Sequence, residues 1–301
     1  MKTIHSSIAV LGAALLLTAT ACSATARTSI AYDTTGAAST ATLSRLTGSG
    51  NIVTRNVTIS DFSQIKASRT VRLTVEDRGG HEAVITADDN VMPYVVVKVE
   101  GGTLIVGIDD QLKSLNNVSV TVSVPSDGSI SAIHASSASS VTVETTIKSP
   151  KLILDASSAA KIFIAKSDVG GCTVDISSAA SIEGAIKADK CTIDMSSAAN
   201  ADLALLAVEC SVSASSAADA TLSGEAGHIE IETTSAAKVS ALALNARNVE
   251  ADASSGSSIK ISCSKSIDAE ASSGGSVRYD AKGSLATEER HTSSGGSVKK
   301  L

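Results

Sequence analysis

The chain has 301 residues, of which only 2% are aromatic, with no Trp, 2 Phe and 3 Tyr, while Ser and Ala make up about a third. Cores of this size normally draw on large rings, so the interior has to be built in thin layers of small and branched aliphatics; at 43% hydrophobic residues the composition excludes a disordered chain. A net charge of −6, with no basic run longer than Lys299-Lys300, excludes a phosphate-neutralising surface, and nucleic acid is not an expected partner.

The N-terminus reads as an export address. Lys2 and His5 precede an apolar run over residues 8–17, too short to span a bilayer and followed by small residues, which is the pattern of a secretory signal. Leu17-Thr18-Ala19-Thr20-Ala21-Cys22 resembles a bacterial lipobox, with Ala19 where Leu is favoured. The expectation is a signal peptide over residues 1–21, with Cys22 as the lipid-modified first residue of the mature chain. The membrane would then be a partner through the anchor, and the protein an exported outer-membrane lipoprotein facing the periplasm or the cell surface. Cleavage after Ala21 or Ala26 without acylation would leave a secreted protein instead. Residues 22–50 are Ser, Thr, Ala and Gly with no apolar periodicity, the composition of a flexible tether.

Residues 51–128 change to period-2 alternation, predicting a β-rich N-terminal cap. Strands are expected over 52–59, 71–75, 83–86, 94–99, 103–106 and 118–122, separated by turn signals at Gly79-Gly80, Asp88-Asp89-Asn90 and Gly101-Gly102.

From residue 129 to 301 an internal repeat dominates. A Ser-Ser-small-small element begins at Ser136, Ser157, Ser177, Ser196, Ser215, Thr234, Ser254, Ser272 and Ser293, in steps of 18 to 21 residues. Such a step is too short for a pair of helices, and the segments between are β-branched and alternating. The chain is therefore all-β, with one repeat forming one coil of a parallel β-solenoid of about 19–20 residues per coil. Strand twist makes a right-handed path the default. Alignment on the Ser pair gives inward columns five residues before it (Leu152, Cys172, Cys191, Cys210, Ile229, Val249, Ile267), three before it (Leu154, Val174, Ile193, Val212, Ile231, Ala251, Ala269) and five after it (Ile162, Ile182, Ala201, Ala220, Val239, Ile259, Val277, Val298).

Several segments together resemble a known family. They are the lipobox-like signal, Asp61-Phe62-Ser63-Gln64-Ile65-Lys66, Ala87-Asp88-Asp89-Asn90-Val91-Met92-Pro93-Tyr94, Gly101-Gly102-Thr103-Leu104, and the Ser-Ser-Ala/Gly coils ending in Ser293-Ser294-Gly295-Gly296-Ser297-Val298. Over residues 51–301 the chain resembles the GIN-domain family of auto-transporter adhesin heads, found in secreted and lipid-anchored proteins of Gram-negative bacteria. The resemblance implies a β-solenoid with a β-rich N-terminal cap and an adhesive role, and it supplies no catalytic residues.

Two residues before each Ser pair stand Asp155, Asp175, Asp194, Ser213, Glu232, Asp252, Glu270 and His291, and four before it Glu230, Glu250, Asp268 and Glu289. Stacked coils would turn these into an outward ladder of carboxylates. Oxygens so spaced can hold Ca²⁺, but charges on an outer face also keep a flat sheet soluble, and the second reading is favoured because no glycine-rich calcium repeat is present. Cys172, Cys191 and Cys210 recur at the coil step on an inward column, so they read as small buried hydrophobes, or as a bridged pair in an oxidising compartment. Zinc would need convergence that a straight column lacks. Ser63/Lys66 and Ser262/Lys265 match Ser-x-x-Lys but lie in β-patterned sequence, where the spacing does not pair them. His81, His134, His228 and His291 show no metal-ligand spacing. No cofactor is expected. The reading is a cell-envelope structural or adhesive module rather than an enzyme, with a glycan or protein ligand. The alternatives are a carbohydrate-active β-helix enzyme and a cation-binding envelope protein that uses the ladder.

Overall fold

A repeat of 18–21 residues is long enough for one circuit of a narrow β-solenoid. In the computed structural model, which describes residues 45–301, the repeats do form such circuits. The expected signal peptide, Cys22 and the tether up to residue 44 lie outside the described residues. The strands Ser140–Ala156, Lys161–Ile176, Ser181–Met195, Asn200–Ala214, Asp219–Thr233, Lys238–Ala253 and Ser258–Ala271 each pair in parallel with the next. The result is a parallel β-solenoid of about 8 turns. Register follows the repeat, so Leu152 lies beside Cys172, Cys172 beside Cys191, and Cys191 beside Cys210. The inward columns expected from the alternation are buried from Leu152 through Ile267. Elsewhere in the coil the alternation slips. Bulges between Val143 and Thr146, Ile164 and Ser167, Thr221 and Ser223, and Ala241 and Asn245 absorb the differences in coil length.

The Ser-Ser-small-small element is the corner at which each long strand stops. The carbonyl of its first residue accepts from the amide of its fourth, as from Ala160 to Ser157 at 3.1 Å and from Ala199 to Ser196 at 3.2 Å. Both central residues have positive φ, 53° and 61° at Ser158 and Ala159, 56° and 59° at Ser197 and Ala198. This is the type I′ arrangement, usually given to Asn-Gly, and it costs an L-residue about 1–2 kcal/mol. Neighbouring coils hold it in place. The third residue donates to the next corner (Ala159 to Ser178, 2.9 Å; Ala198 to Ser216, 3.0 Å), and the first donates back to the preceding coil (Ser177 to Ala156, 3.0 Å). The fourth residue is buried as Ala160, Ala180, Ala199, Ala218 and Ala237, where a small side chain closes the core beneath the corner.

Parallel stacking starts inside the cap segment. Gln64–Ala67 and Arg72–Asp77 form a rung flanked on one side by Thr103–Ile108 and Val120–Ser126, and on the other by Ala132–Ala135 and the start of Ser140–Ala156. Its corner, Ser68-Arg69-Thr70, repeats the double positive φ (62° and 60°) without a Ser pair, and Thr70 donates to Ser137 at 3.0 Å. Antiparallel pairs of Ile52–Thr58 with Glu82–Asp88 and of Val95–Glu100 with Thr103–Ile108 complete this end. One hydrophobic cluster runs without a break from Ile59 to Tyr279. The Asp88-Asp89-Asn90 turn clasps the segment by which the chain reaches the body. Buried Asp88 accepts from the amides of Gly50 (2.8 Å) and Ser119 (2.7 Å), Asp89 accepts from Ser49 Oγ (2.6 Å) and Asn51 Nδ2 (2.7 Å), and Asn90 Nδ2 donates to the Thr47 carbonyl (2.9 Å).

At the other end Thr287–Thr292 and Ser297–Lys300 pair on one side only. Inward positions held by Ile267 and Ala269 in the coil before become Glu288 and Arg290. Glu288 accepts from Tyr279 Oη at 2.5 Å and pairs with Arg290 at 3.3 Å and Lys300 at 3.9 Å. A charged rung at an open edge discourages strand addition.

Two outcomes check this register. Ile193→Asp, which places an unpaired charge in the continuous core, is expected to cost more than about 4 kcal/mol, while the adjacent outward change Asp194→Asn costs almost nothing; equal shifts in chemical denaturation of the two variants would refute the inward assignment. Ala198→Gly relieves about 1–2 kcal/mol of left-handed strain against about 0.4–1 kcal/mol of added unfolded-chain entropy. It should therefore raise stability by up to about 1.6 kcal/mol, as the later coils anticipate with Gly256, Gly274 and Gly295 at φ of 72°, 76° and 78°.

Candidate functional site

Two surfaces concentrate chemistry. The first is the column beside the corner turns. Strand register places Lys66, His134, Asp155, Asp175, Asp194, Ser213, Glu232, Asp252, Glu270 and His291 in successive rungs of one outward line. The carboxylates singled out from the sequence are thus brought together, about 4.8 Å apart, with basic or titratable side chains at both ends. Shallow grooves run between this line and the first hydroxyl of each corner, lined by Asp175, Asp194, Ser177 and Ser196 in one stretch and by Glu232, Asp252, Thr234 and Ser254 in another. Partial burial, and then the neighbouring Asp194 and Asp155, push the Asp175 carboxyl above its ordinary range. Burial, then Glu270 and Glu232, does the same to Asp252.

The four histidines in the described residues each stand against a carboxylate. His134 Nδ1 lies 3.2 Å from Asp155, His81 Nδ1 3.4 Å from Asp61, and His228 Nε2 4.0 Å from Glu250, while His291 Nε2 is 3.8 Å from Glu289 and 4.0 Å from Asp268. Cys172, Cys191 and Cys210 stack as free, buried thiols. Hydrogen bonding to Cys191, together with burial, pushes the thiols of Cys172 and Cys210 up, as expected of neutral groups in an apolar column. Ser262 Oγ donates to the Leu242 carbonyl at 2.8 Å, so its hydroxyl is directed at the backbone rather than at Lys265.

The second surface was not legible in the sequence. In the cap, residues 59–63, 77–81 and 125–129, with Gly102, enclose an open cleft of about 650 Å³. Asp61, Asp77, Arg78, His81 and Asp127 line it together with Phe62, Ile59, Pro125 and several serines. Arg78 is held from behind, its Nε 2.5 Å from Glu76 and its Nη2 donating to the Glu82 carbonyl at 3.1 Å. Asp127 accepts the Ser129 amide at 2.9 Å, and that bond holds its carboxyl below the usual range. The pairing of Ile52–Thr58 with Glu82–Asp88, continued by the Ile59 amide donating to the His81 carbonyl at 2.8 Å, joins the first two of these loops, and the pairing of Arg72–Asp77 with Val120–Ser126 brings the third, remote in sequence, beside the second.

Comparison with known proteins agrees with this architecture. Residues 61–185 and 172–283 match the family described as "Putative auto-transporter adhesin, head GIN domain". The chain belongs to that family. Among solved structures, a putative adhesin from Parabacteroides merdae is 21% identical, with a TM-score of 0.65 over 86% of this chain and 99% of its own. A putative adhesin from Parabacteroides distasonis is 14% identical, with a TM-score of 0.64 over 85% of this chain and 100% of its own. A protein from the same organism described as a putative lipid binding protein is 18% identical, with a TM-score of 0.59 over 85% of this chain and 99% of its own. These likenesses establish a shared fold. No curated protein matches the chain.

The upward shifts at Asp175 and Asp252 mean that their ionised forms oppose folding. The penalty is present above the folded-state pKa and is relieved as pH falls through it. Asp175→Asn and Asp252→Asn should therefore raise the melting temperature at pH 7 by about 2 °C each, on the scale of one like-charge cross-strand contact. The gain should fade below about pH 4, where the native carboxyls are themselves protonated. A loss of stability at pH 7 would refute a net penalty for ionised carboxylates in the column.

Proposed function

We propose that this GIN-domain chain is an adhesive module of the cell envelope, tethered to the membrane by acylated Cys22 and carrying its binding surface on a stiff rod. The observation that carries the reading is mechanical. A continuous core from Ile59 to Tyr279, and inter-coil hydrogen bonds that continue to the last rung, join the cap to the far end, so a contact made anywhere on the body is transmitted through it as one unit. Family membership points the same way. The clasp of Asp88, Asp89 and Asn90 on residues 47–51 fixes the body at the end from which the proposed tether would pull. The Ser262 hydroxyl, committed to a backbone carbonyl, is not poised as a nucleophile paired with Lys265.

Cells expressing the full chain should label with a palmitate analogue and be retained on surfaces coated with matrix protein or mucin. Cys22→Ser should abolish the label and release the protein to the medium. Equal labelling of wild type and Cys22→Ser refutes the anchor, and equal retention of cells with and without the chain refutes adhesion.

A further inference from the structure

The cap cleft carries an assignment of its own, which deepens the adhesive reading and rests on it. We propose that this cleft is a binding site for an uncharged oligosaccharide. Its volume of about 650 Å³ lies within the range of small-molecule sites. Its chemistry narrows the ligand further. Asp61, Asp77 and Asp127 outnumber the one guanidinium, Arg78, so a phosphorylated, sulfated or carboxylated ligand meets net repulsion. An acyl chain is no better matched, because it would bury carboxylates without giving them partners.

A hydroxyl group both donates and accepts, and it needs the two kinds of partner side by side. The cleft offers that pairing. Carboxylates accept, while Arg78 keeps its Nη1 hydrogens without a protein partner among the described residues, since Nε and Nη2 are the atoms held by Glu76 and Glu82. His81, also in the lining, meets Asp61 through Nδ1 and has no protein partner for Nε2 among the described residues. Phe62, Ile59 and Pro125 add apolar wall, the complement of the C–H face of a sugar ring.

The purified chain is applied to an array of neutral oligosaccharides with sialylated and sulfated ones alongside. Wild type should bind neutral glycans in preference to acidic ones. Asp77→Asn together with Arg78→Ala should lower that binding at least tenfold. Because Arg78 also braces its own loop, a second variant is needed. Asp61→Ala removes an exposed acceptor of the cleft lining and should reduce binding similarly with an unchanged melting curve. Lys260→Gln, exposed on the strand Ser258–Ala271 and outside the cleft, should bind as wild type. Wild-type binding that survives both cleft changes overturns the assignment, as does a preference for acidic glycans. If the array stays blank while cells bearing the chain still adhere, the cleft assignment falls and the adhesive reading stands; if adhesion is also absent, both fall.

Discussion

Everything in this fold depends on one backbone feature, a corner that turns the chain through two consecutive left-handed residues and hands its hydrogen bonds to the corners above and below. Alone, such a corner built from Ser and Ala would not persist, because two left-handed L-residues cost about 1–2 kcal/mol each and the bond across the turn returns only about 0.5–1.5 kcal/mol. In the stack each corner also exchanges backbone bonds with both neighbours, and a buried Ala seals the core beneath it. Two consecutive left-handed L-residues are therefore found only where another coil is present on each side, while the last corner, paired on one side, keeps a single one, Ser294 at 47°, followed by Gly295. Stability of this kind lives in the interfaces between repeats rather than within them.

That dependence explains the treatment of the two ends. At the N-terminal end the rung of residues 64–77 is enclosed between rungs laid down later in the chain, and antiparallel strands cover the stack. At the far end no strand among the described residues covers the last rung. There the aliphatic columns give way to Glu288 and Arg290, and the buried Tyr279, whose hydroxyl burial and Glu288 push up to about 12, ties that network to the final apolar layer.

The portion of the fold legible in the sequence is the portion that repeats with a fixed offset. Residues five before, three before and five after each Ser pair are separated from it by the same number of positions in every coil, so Cys172, Cys191 and Cys210, or Leu154 and Val174, declare themselves as columns. The opposite side of the coil did not. A bulge between Ile164 and Ser167 shifts the count by one, so Ser167 lies in register between Ile147 and Ile186, buried and without a hydrogen-bond partner. A fixed-offset alignment has no means of placing a serine there. The rung at residues 64–77 was hidden for a different reason. Its corner, Ser68-Arg69-Thr70, lacks the Ser pair, and its neighbours on both sides come from much later in the chain. The cap cleft inherits that difficulty, since a site assembled by strand pairing between remote segments has no local signature.

Parallel in-register stacking carries a cost that the outer surface shows plainly. Whatever occupies an outward position in one coil lies directly against its counterpart in the next, and like charges in that arrangement repel. On other faces the sequence answers with opposite charges across coils, as Lys187 does with Asp168 at 3.0 Å and Lys190 with Glu209 at 3.9 Å. Beside the corners it does not, and partial burial together with that repulsion raises the carboxyls of Asp175 and Asp252. Relief is local. Ser213 interrupts the run between Asp194 and Glu232, while His134 and His291 close its ends. An aliphatic residue at these positions would remove the repulsion and add β-propensity, but it would also give a flat sheet a continuous apolar stripe next to two columns of exposed corner residues, a surface on which two rods could pair sideways. A few tenths of a kcal/mol lost at each carboxylate contact is a small cost against that outcome for a protein whose faces must stay separate from those of its neighbours.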